Sequence, residues 1–332
     1  MALSIAVLGA GAIGCHVGGS WASVLADRGQ VTLIGRPSRI EPIRSDGLGI
    51  DGEAVPREAF SATTDTSALT QADLIAVAVK STGLDPAMDD IAKHAKPNAV
   101  IVSLLNGLGP VRALRARFPD HSVLAGMVPY NVVWTGPTAL ERSGSGSVAT
   151  ERHATTETLA SAGAELELHD DLSPIQHGKL LLNLANAVNA LSGLPLKAML
   201  LDRDYRRVYA ASLTETLKVY DAAHIAWQQV GPTSPRLARM ALLSPTWLFD
   251  RLVIRKQGLS DTSMTSMAQD LAAGRPTEID TINGEVVRLG KRAGVPTPVN
   301  DALVAAVRAV ESGEHAGGLS AAELLSLIDS TV

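Results

Sequence analysis

The run Gly9-Ala10-Gly11-Ala12-Ile13-Gly14, directly behind the apolar stretch Ile5–Leu8, constrains this chain more than any other feature. A G-x-G-x-x-G that follows a strand and opens a helix marks the first turn of a βαβ unit. The first glycine permits the tight turn. The second lets the backbone approach a pyrophosphate, and the third lets the helix pack close to the strand. Phosphate then sits at the helix N-terminus, where free N–H groups and the dipole favour negative charge. Gly9, Gly11, Ala12, Ile13 and Gly14 are therefore candidate dinucleotide contacts. Cys15 and His16 follow directly and read as helix-packing residues.

The next apolar runs fit the same architecture. Gln30–Ile34, Leu74–Val79 and Ala99–Leu104 are continuous rather than alternating, as strands buried on both faces of a parallel sheet should be. Shorter strands at 123–128, 146–150 and 165–169 extend the sheet edge. Alternating strands and helices predict a doubly wound α/β domain. Past Asp170-Asp171-Leu172-Ser173-Pro174 only helical patterns remain, and Ser173-Pro174 reads as a helix start. The expected division is residues 1–172, a dinucleotide-binding domain, and 173–332, an all-α substrate-binding domain. The stretch Ser143-Gly144-Ser145-Gly146-Ser147 is expected to be a hairpin turn inside the first domain.

Composition narrows the function. The 332 residues carry a net charge of −5, without a long Lys/Arg run, which argues against a nucleic-acid partner. Aromatics at 3% argue against a base-stacking surface. No apolar run reaches the roughly 18 residues a membrane span needs, and the N-terminus lacks a basic leader. A single cysteine points to a reducing cytoplasm. The eight histidines show no close ligand spacing, so no metal is expected.

The second strand ends Leu33-Ile34-Gly35-Arg36. An NAD site usually has an acid there for the ribose hydroxyls, whereas an arginine can pair with a 2′-phosphate. Arg36 thus predicts NADPH. Arg39 could assist, although a plain loop role suits it better. Ligands in open parallel sheets bind outside the carboxyl ends of the strands. Lys80 follows the third strand and Asn106 the fourth, which makes both candidates for cofactor or substrate contacts. The competing roles are a solvated lysine and a helix-capping asparagine.

Residues 173–191 read as one helix, apolar around most of its girth. Lys179, Asn183 and Asn186 interrupt it at i, i+4 and i+7, within about 60° of arc. A lysine and two amides on a core helix line a cleft more readily than they fill a core. A positioned ammonium can stabilise charge on a carbonyl oxygen receiving hydride and then donate the proton. Asn189 lies off this stripe and reads as a structural or capping residue. Farther on, a helix is expected from about Pro276, with Ile279, Ile282, Val286 and Leu289 on its core face. By spacing alone, Glu278 is only an acid near a helix N-terminus.

Taken together, the glycine motif, Val79-Lys80-Ser81, Asn106-Gly107-Leu108-Gly109, Lys179 with Asn183, Ser266-Met267, Gly274–Asp280, Ile282-Asn283-Gly284 and Pro296–Asn300 resemble the ketopantoate reductase (2-dehydropantoate 2-reductase) family over nearly the full length. The resemblance implies an N-terminal Rossmann-type domain, an all-helical second domain and an active site between them. It implies NADPH-dependent reduction of ketopantoate to pantoate, towards pantothenate and coenzyme A. By position it makes Lys179 the general acid and Glu278 the acid that binds the substrate hydroxyl. Asn106, Asn183 and Ser266 fall on substrate-contacting positions, and Lys80 on a cleft lysine.

The chain also departs from the pattern. Many members carry a second amide eight residues after the lysine. That position is Ala187 here, with Asn186 one residue earlier, a rotation of about 100°. Additional sequence lies around Tyr205–Leu259. Asn186 becomes a further candidate for substrate binding, and the substrate could be another small 2-oxo acid. A non-catalytic NADPH sensor is the alternative from another class, opposed by the presence of both Lys179 and Glu278. The oligomeric state stays open, a homodimer among the choices.

Overall fold

A computed structural model describes residues 2–25, 28–230, 234–257 and 259–329. The chain divides into two compact units, one ending at Leu172 and one beginning at Ser173.

The strands of the first unit are β1 (Leu3–Leu8), β2 (Gly29–Ile34), β3 (Gly49–Ile50), β4 (Glu53–Ala54), β5 (Phe60–Thr63), β6 (Leu74–Val77), β7 (Val100–Ser103), β8 (Val123–Met127), β9 (Asn131–Trp134), β10 (Ala139–Ser143), β11 (Val148–Glu151) and β12 (Leu166–His169). Eight of them form one sheet in the order β12-β11-β8-β7-β6-β1-β2-β5. Neighbours run parallel except β11 against β8. The apolar runs form its centre: every residue of β6 and β7 is buried. Among the described residues five α-helices accompany these strands: α1 (Ala12–Leu25), α2 (Pro37–Asp46), α3 (Leu84–His94), α4 (Gly109–Arg117) and α5 (Ala154–Ser161). This is the expected Rossmann-type, doubly wound α/β arrangement.

Strand β1 lies between β2 and β6, so the strand order reverses beside it. The register is level there. Leu8 pairs with both Ile34 and Val77, and Val77 pairs with Ser103. Four chain segments therefore leave the sheet at one height, along one edge.

The remaining strands form a small second sheet, β4-β3-β10-β9, that the sequence reading did not anticipate. The Gly-Ser stretch is accordingly not a hairpin turn. It carries the chain from β10 in the small sheet to β11 in the large one. Gly144 and Gly146 have φ of 101° and 113° within it, a region that suits glycine.

The second unit is helical, and no strand occurs among the described residues after His169. Its helices are α6 (Ser173–Asn183), α7 (Ala185–Ser192), α8 (Leu196–Leu201), α9 (Arg203–Ala222), α10 (Pro235–Leu243), α11 (Thr246–Phe249), α12 (Arg255–Gln257), α13 (Ser266–Ala272), α14 (Asn283–Ala293), α15 (Pro298–Glu311) and α16 (Ala321–Asp329). The expected single helix over 173–191 is divided at Leu184, which keeps right-handed helical angles (φ −60°, ψ −25°), so the interruption is local.

Two buried charged residues on α9 organise this unit. The Arg206 guanidinium donates to the carbonyls of Leu200, Leu242 and Ser244 at 2.8–2.9 Å and lies over the Phe249 ring. It thereby ties Leu200 and the stretch 242–249 to α9. The Glu215 carboxylate accepts the Val299 and Asn300 N–H groups at the start of α15, at 2.8 and 3.0 Å. Burial raises the Glu215 pKa. Asn300, fully buried, accepts from Ser212 and from Asn283 and donates to Glu215. The Pro296–Asn300 pattern is thus a packing knot that fixes where α14 and α15 begin.

Candidate active site

In the first unit the glycine turn has the geometry its motif implies. Gly9 has φ +118°, and a Cβ there would lie 2.6 Å from the backbone of Ala78 and Val79. A Cβ on Gly14 would lie 2.0 Å from the Gly9 carbonyl oxygen. Gly11 differs, because nothing lies within 4 Å of where its Cβ would be. The first intrahelical bond of α1 runs from Cys15 N–H to Gly11 O at 2.9 Å. The Ala12, Ile13 and Gly14 amides precede it and have no acceptor within the helix, and no acid occupies that first turn. These features fit an anionic pyrophosphate. Cys15 and His16 are both buried, as expected of packing residues, and burial raises the Cys15 thiol to about 12.

Arg36, Lys80 and Asn106 leave the sheet at the same edge as this turn. Arg36 is exposed and immediately precedes α2, with no capping bond from its side chain. Arg39 is engaged elsewhere. Its guanidinium stacks 3.7 Å from the Trp134 ring centroid and donates to the Pro137 carbonyl. Lys80 is exposed at the start of the 3-10 turn Ser81–Gly83. Asn106 is half-buried in the bend before α4, and Leu108, not Asn106, occupies the N-cap position.

In the second unit the polar stripe is the open side of an otherwise enclosed helix pair. Lys179, Asn183 and Asn186 are each half-buried, whereas Leu180, Leu181, Leu184 and Ala187 are buried. Leu182, beside the stripe, is 40% exposed, so the open side extends beyond the three polar residues. Ala187 is completely buried, so the side chain available at this height is Asn186. Gly178 makes the approach possible. A Cβ there would lie 1.8 Å from the Gln228 carbonyl oxygen, and Gln228 N–H is itself bonded to the Pro174 carbonyl at 2.8 Å. The loop after α9 thus presses on the turn that carries Lys179. A glycine inside a helix is the sequence signal for this contact.

Lys179 is electrostatically unusual. Burial lowers it from its ordinary 10.5 to about 8, and the charge of Glu278 works in the opposite direction. Glu278 precedes the 3-10 turn Ile279–Thr281, and its carboxylate makes no capping bond. The expected helix from Pro276 begins instead at Asn283, because Ile282 (φ −107°, ψ −90°) separates the 3-10 turn from α14. Ile279, Ile282, Val286 and Leu289 are nevertheless core residues. The neighbouring acid Asp280 pairs with Arg308 at 2.6 Å. The segment is held at Thr277, whose N–H donates to Glu311 at 2.6 Å. Ser266 is exposed as the first residue of α13, which packs on α7.

Comparison with known proteins shows the family and the fold. A family model described as ketopantoate reductase PanE/ApbA matches residues 5–154, and the model of that family's C-terminal part matches residues 171–311. The chain is 30% identical over 320 residues to the 2-dehydropantoate 2-reductase of Pyrococcus horikoshii, covering 93% of this chain and 98% of that one. A solved PanE/ApbA family ketopantoate reductase from Ralstonia eutropha superposes with a TM-score of 0.79 at 29% identity, covering 94% and 100% of the two chains. D-mandelate dehydrogenase, solved with NADH and anilino(oxo)acetate, shares the fold at a TM-score of 0.75 and 24% identity, over 94% of this chain and 99% of that one.

Proposed function

The chain belongs to the ketopantoate reductase family, and from that premise we propose that it reduces ketopantoate to pantoate with NADPH, in the cytoplasm, on the route to pantothenate and coenzyme A. The observation that carries this reading is Lys179: a half-buried lysine that burial brings down to about 8 against the opposing charge of Glu278, on the open side of a helix pair that also presents Asn183 and Asn186.

The first unit holds the dinucleotide. Gly9, Gly11 and Gly14 shape the turn, and the amides of Ala12 and Ile13 face the pyrophosphate. Arg36 pairs with the 2′-phosphate. Lys80 and Asn106 complete the edge, the first as a countercharge and the second as a hydrogen-bonding group for nicotinamide or substrate. When bound, the reduced nicotinamide supplies a hydride to the ketone carbon.

The second unit holds the 2-oxo acid. Lys179 donates a hydrogen bond to the ketone oxygen and hands over its proton as charge develops there. A value of about 8 suits this role, because the group is charged near neutrality yet releases its proton readily. Asn183 and Asn186 orient the carboxylate and ketone, and Ser266 adds a hydroxyl donor. Glu278 accepts the substrate's distal hydroxyl and keeps Lys179 protonated.

A second reading rests on Leu182 and Ala187. An exposed leucine beside Lys179, and a buried methyl where many relatives carry an amide, suit a 2-oxo acid with a larger apolar side chain. The test follows NADPH oxidation with ketopantoate, 2-oxoisovalerate, pyruvate and an aryl 2-oxo acid in parallel. Fast turnover of ketopantoate alone is expected. Turnover of only another acid keeps the chemistry and moves the substrate. Tight NADPH binding without turnover of any acid would favour the sensor.

A further inference from the structure

We infer that Asn189 is a positioning residue for the 2-oxo acid site, acting through Thr265 on Ser266. The inference rests on the proposed function, since it is the contact of Ser266 with substrate that Asn189 would serve.

Asn189 lies on α7, beyond Asn183 and Asn186, and is completely buried. Asparagine is a poor helix former, and an enclosed amide is costly unless both ends are bonded. Both ends are bonded, each to a different loop. Nδ2 donates to the Leu194 carbonyl at 2.8 Å, just past Gly193, the left-handed residue (φ 65°) that ends α7. Oδ1 accepts from the Thr265 N–H at 3.0 Å. Thr265 is the N-cap of α13, and its Oγ1 accepts the Ala268 N–H at 3.3 Å. Ser266 is the next residue. A second bond, Leu196 N–H to the Ser263 carbonyl at 2.8 Å, ties the same two loops.

The consequence is geometric. The helix pair that carries Lys179, Asn183 and Asn186 also holds, through the Asn189 side chain, the N-cap residue at which α13 begins. The Ser266 hydroxyl is thereby held at a set height relative to the lysine and the two amides. Reaction rates fall steeply when such groups are misplaced by about 1 Å, and supporting hydrogen bonds are what hold them.

A double-mutant cycle on the NADPH-loaded enzyme tests this, using Ser266→Ala, Asn189→Ala and the pair, with Asn189→Asp as the conservative variant. Steady-state kinetics with the 2-oxo acid, NADPH affinity and thermal unfolding are the readouts. Ser266→Ala and Asn189→Ala should each raise the KM for the 2-oxo acid by roughly tenfold, the scale of one lost hydrogen bond, with NADPH affinity unchanged. The pair should be no worse than Ser266→Ala alone. Asn189→Asp keeps an acceptor for the Thr265 N–H and should recover most of the affinity. If the two effects multiply, Asn189 does not act through Ser266 and the relay fails by itself. If Asn189→Ala lowers only the unfolding temperature, the amide is structural and the relay fails as well. Wild-type KM in Ser266→Ala removes Ser266 from the proposed site, and the relay with it. Should Asn189→Ala not fold, Asn189→Ser, too short to span both loops, takes its place in the cycle.

Discussion

The Glu278 carboxylate holds up the proton affinity of Lys179, which enclosure in the protein has brought down from 10.5 to about 8. A proton donor in ketone reduction must be charged. The kcat/KM for reduction should therefore be level below about 8 and fall tenfold for each further pH unit. Oxidation of the hydroxy acid needs the neutral amine and should rise through the same pH. Glu278→Gln removes the charge that favours the ammonium, so both limbs should move to lower pH. Profiles in the two directions, from about pH 5 to about pH 10, check this. Limbs that stay in place would mean that the titrating group is not a Lys179 governed by Glu278.

The same depression makes Lys179 a stability liability. A lysine whose folded pKa lies below its unfolded value costs stability at any pH below the folded value, and the cost fades as pH rises from about 8 to 10.5. With about 1.4 kcal/mol for each tenfold change in proton affinity, the cost near neutrality is on the order of 3 kcal/mol. Lys179→Met fills similar space without the charge. It should unfold at higher temperature than the wild type at pH 7, with the difference vanishing towards pH 10.5. Its turnover should fall by about two to four orders of magnitude. Calorimetry over that pH range together with single-turnover kinetics gives both halves. Unimpaired turnover would dismiss the lysine as acid.

Legibility followed the range of the interactions. Parallel strands buried on both faces are continuous apolar runs, so β1, β2, β6 and β7 could be read from the residues alone, and so could the edge they share. The small sheet could not. Its strands are as short as two residues, and β3 finds its partner β10 some 90 positions away, Gly49 against Ala139. Lys179, Asn183 and Asn186 were readable because helical periodicity is local. Spacing gave Glu278 no special meaning, and only the family resemblance singled it out. Pro276 looked like a helix start, but the chain there first makes a 3-10 turn and bends at Ile282. The Asn189 clamp joins residues 76 apart, and no local pattern encodes that.

Arg36 should separate the two nicotinamide cofactors. It is exposed where α2 begins and makes no capping bond with its side chain, so it can be removed without unravelling that helix. A charge-assisted pair with a 2′-phosphate is worth about 1.5–3 kcal/mol. Arg36→Ala should raise the KM for NADPH by roughly ten- to a hundredfold, and leave NADH nearly unchanged. Equal losses for both cofactors would remove the 2′-phosphate role.

Gly11 and Gly14 belong to one motif and should fail in different ways. A methyl at position 14 would meet the Gly9 carbonyl at 2.0 Å, and that oxygen is backbone which cannot turn aside. Gly14→Ala should therefore push α1 off β1, and lower stability and cofactor affinity together. A methyl at position 11 meets nothing within 4 Å, and Gly11 does not need a positive φ. Gly11→Ala should fold with an unfolding temperature close to the wild type. Its methyl would nevertheless occupy the space through which a pyrophosphate approaches the backbone. Its NADPH affinity should drop by at least tenfold, the scale of one steric clash at a phosphate cradle. Calorimetry without cofactor, followed by titration with NADPH, separates the two effects. A Gly11→Ala protein that binds NADPH as tightly as the wild type would show that the dinucleotide does not lie against this turn.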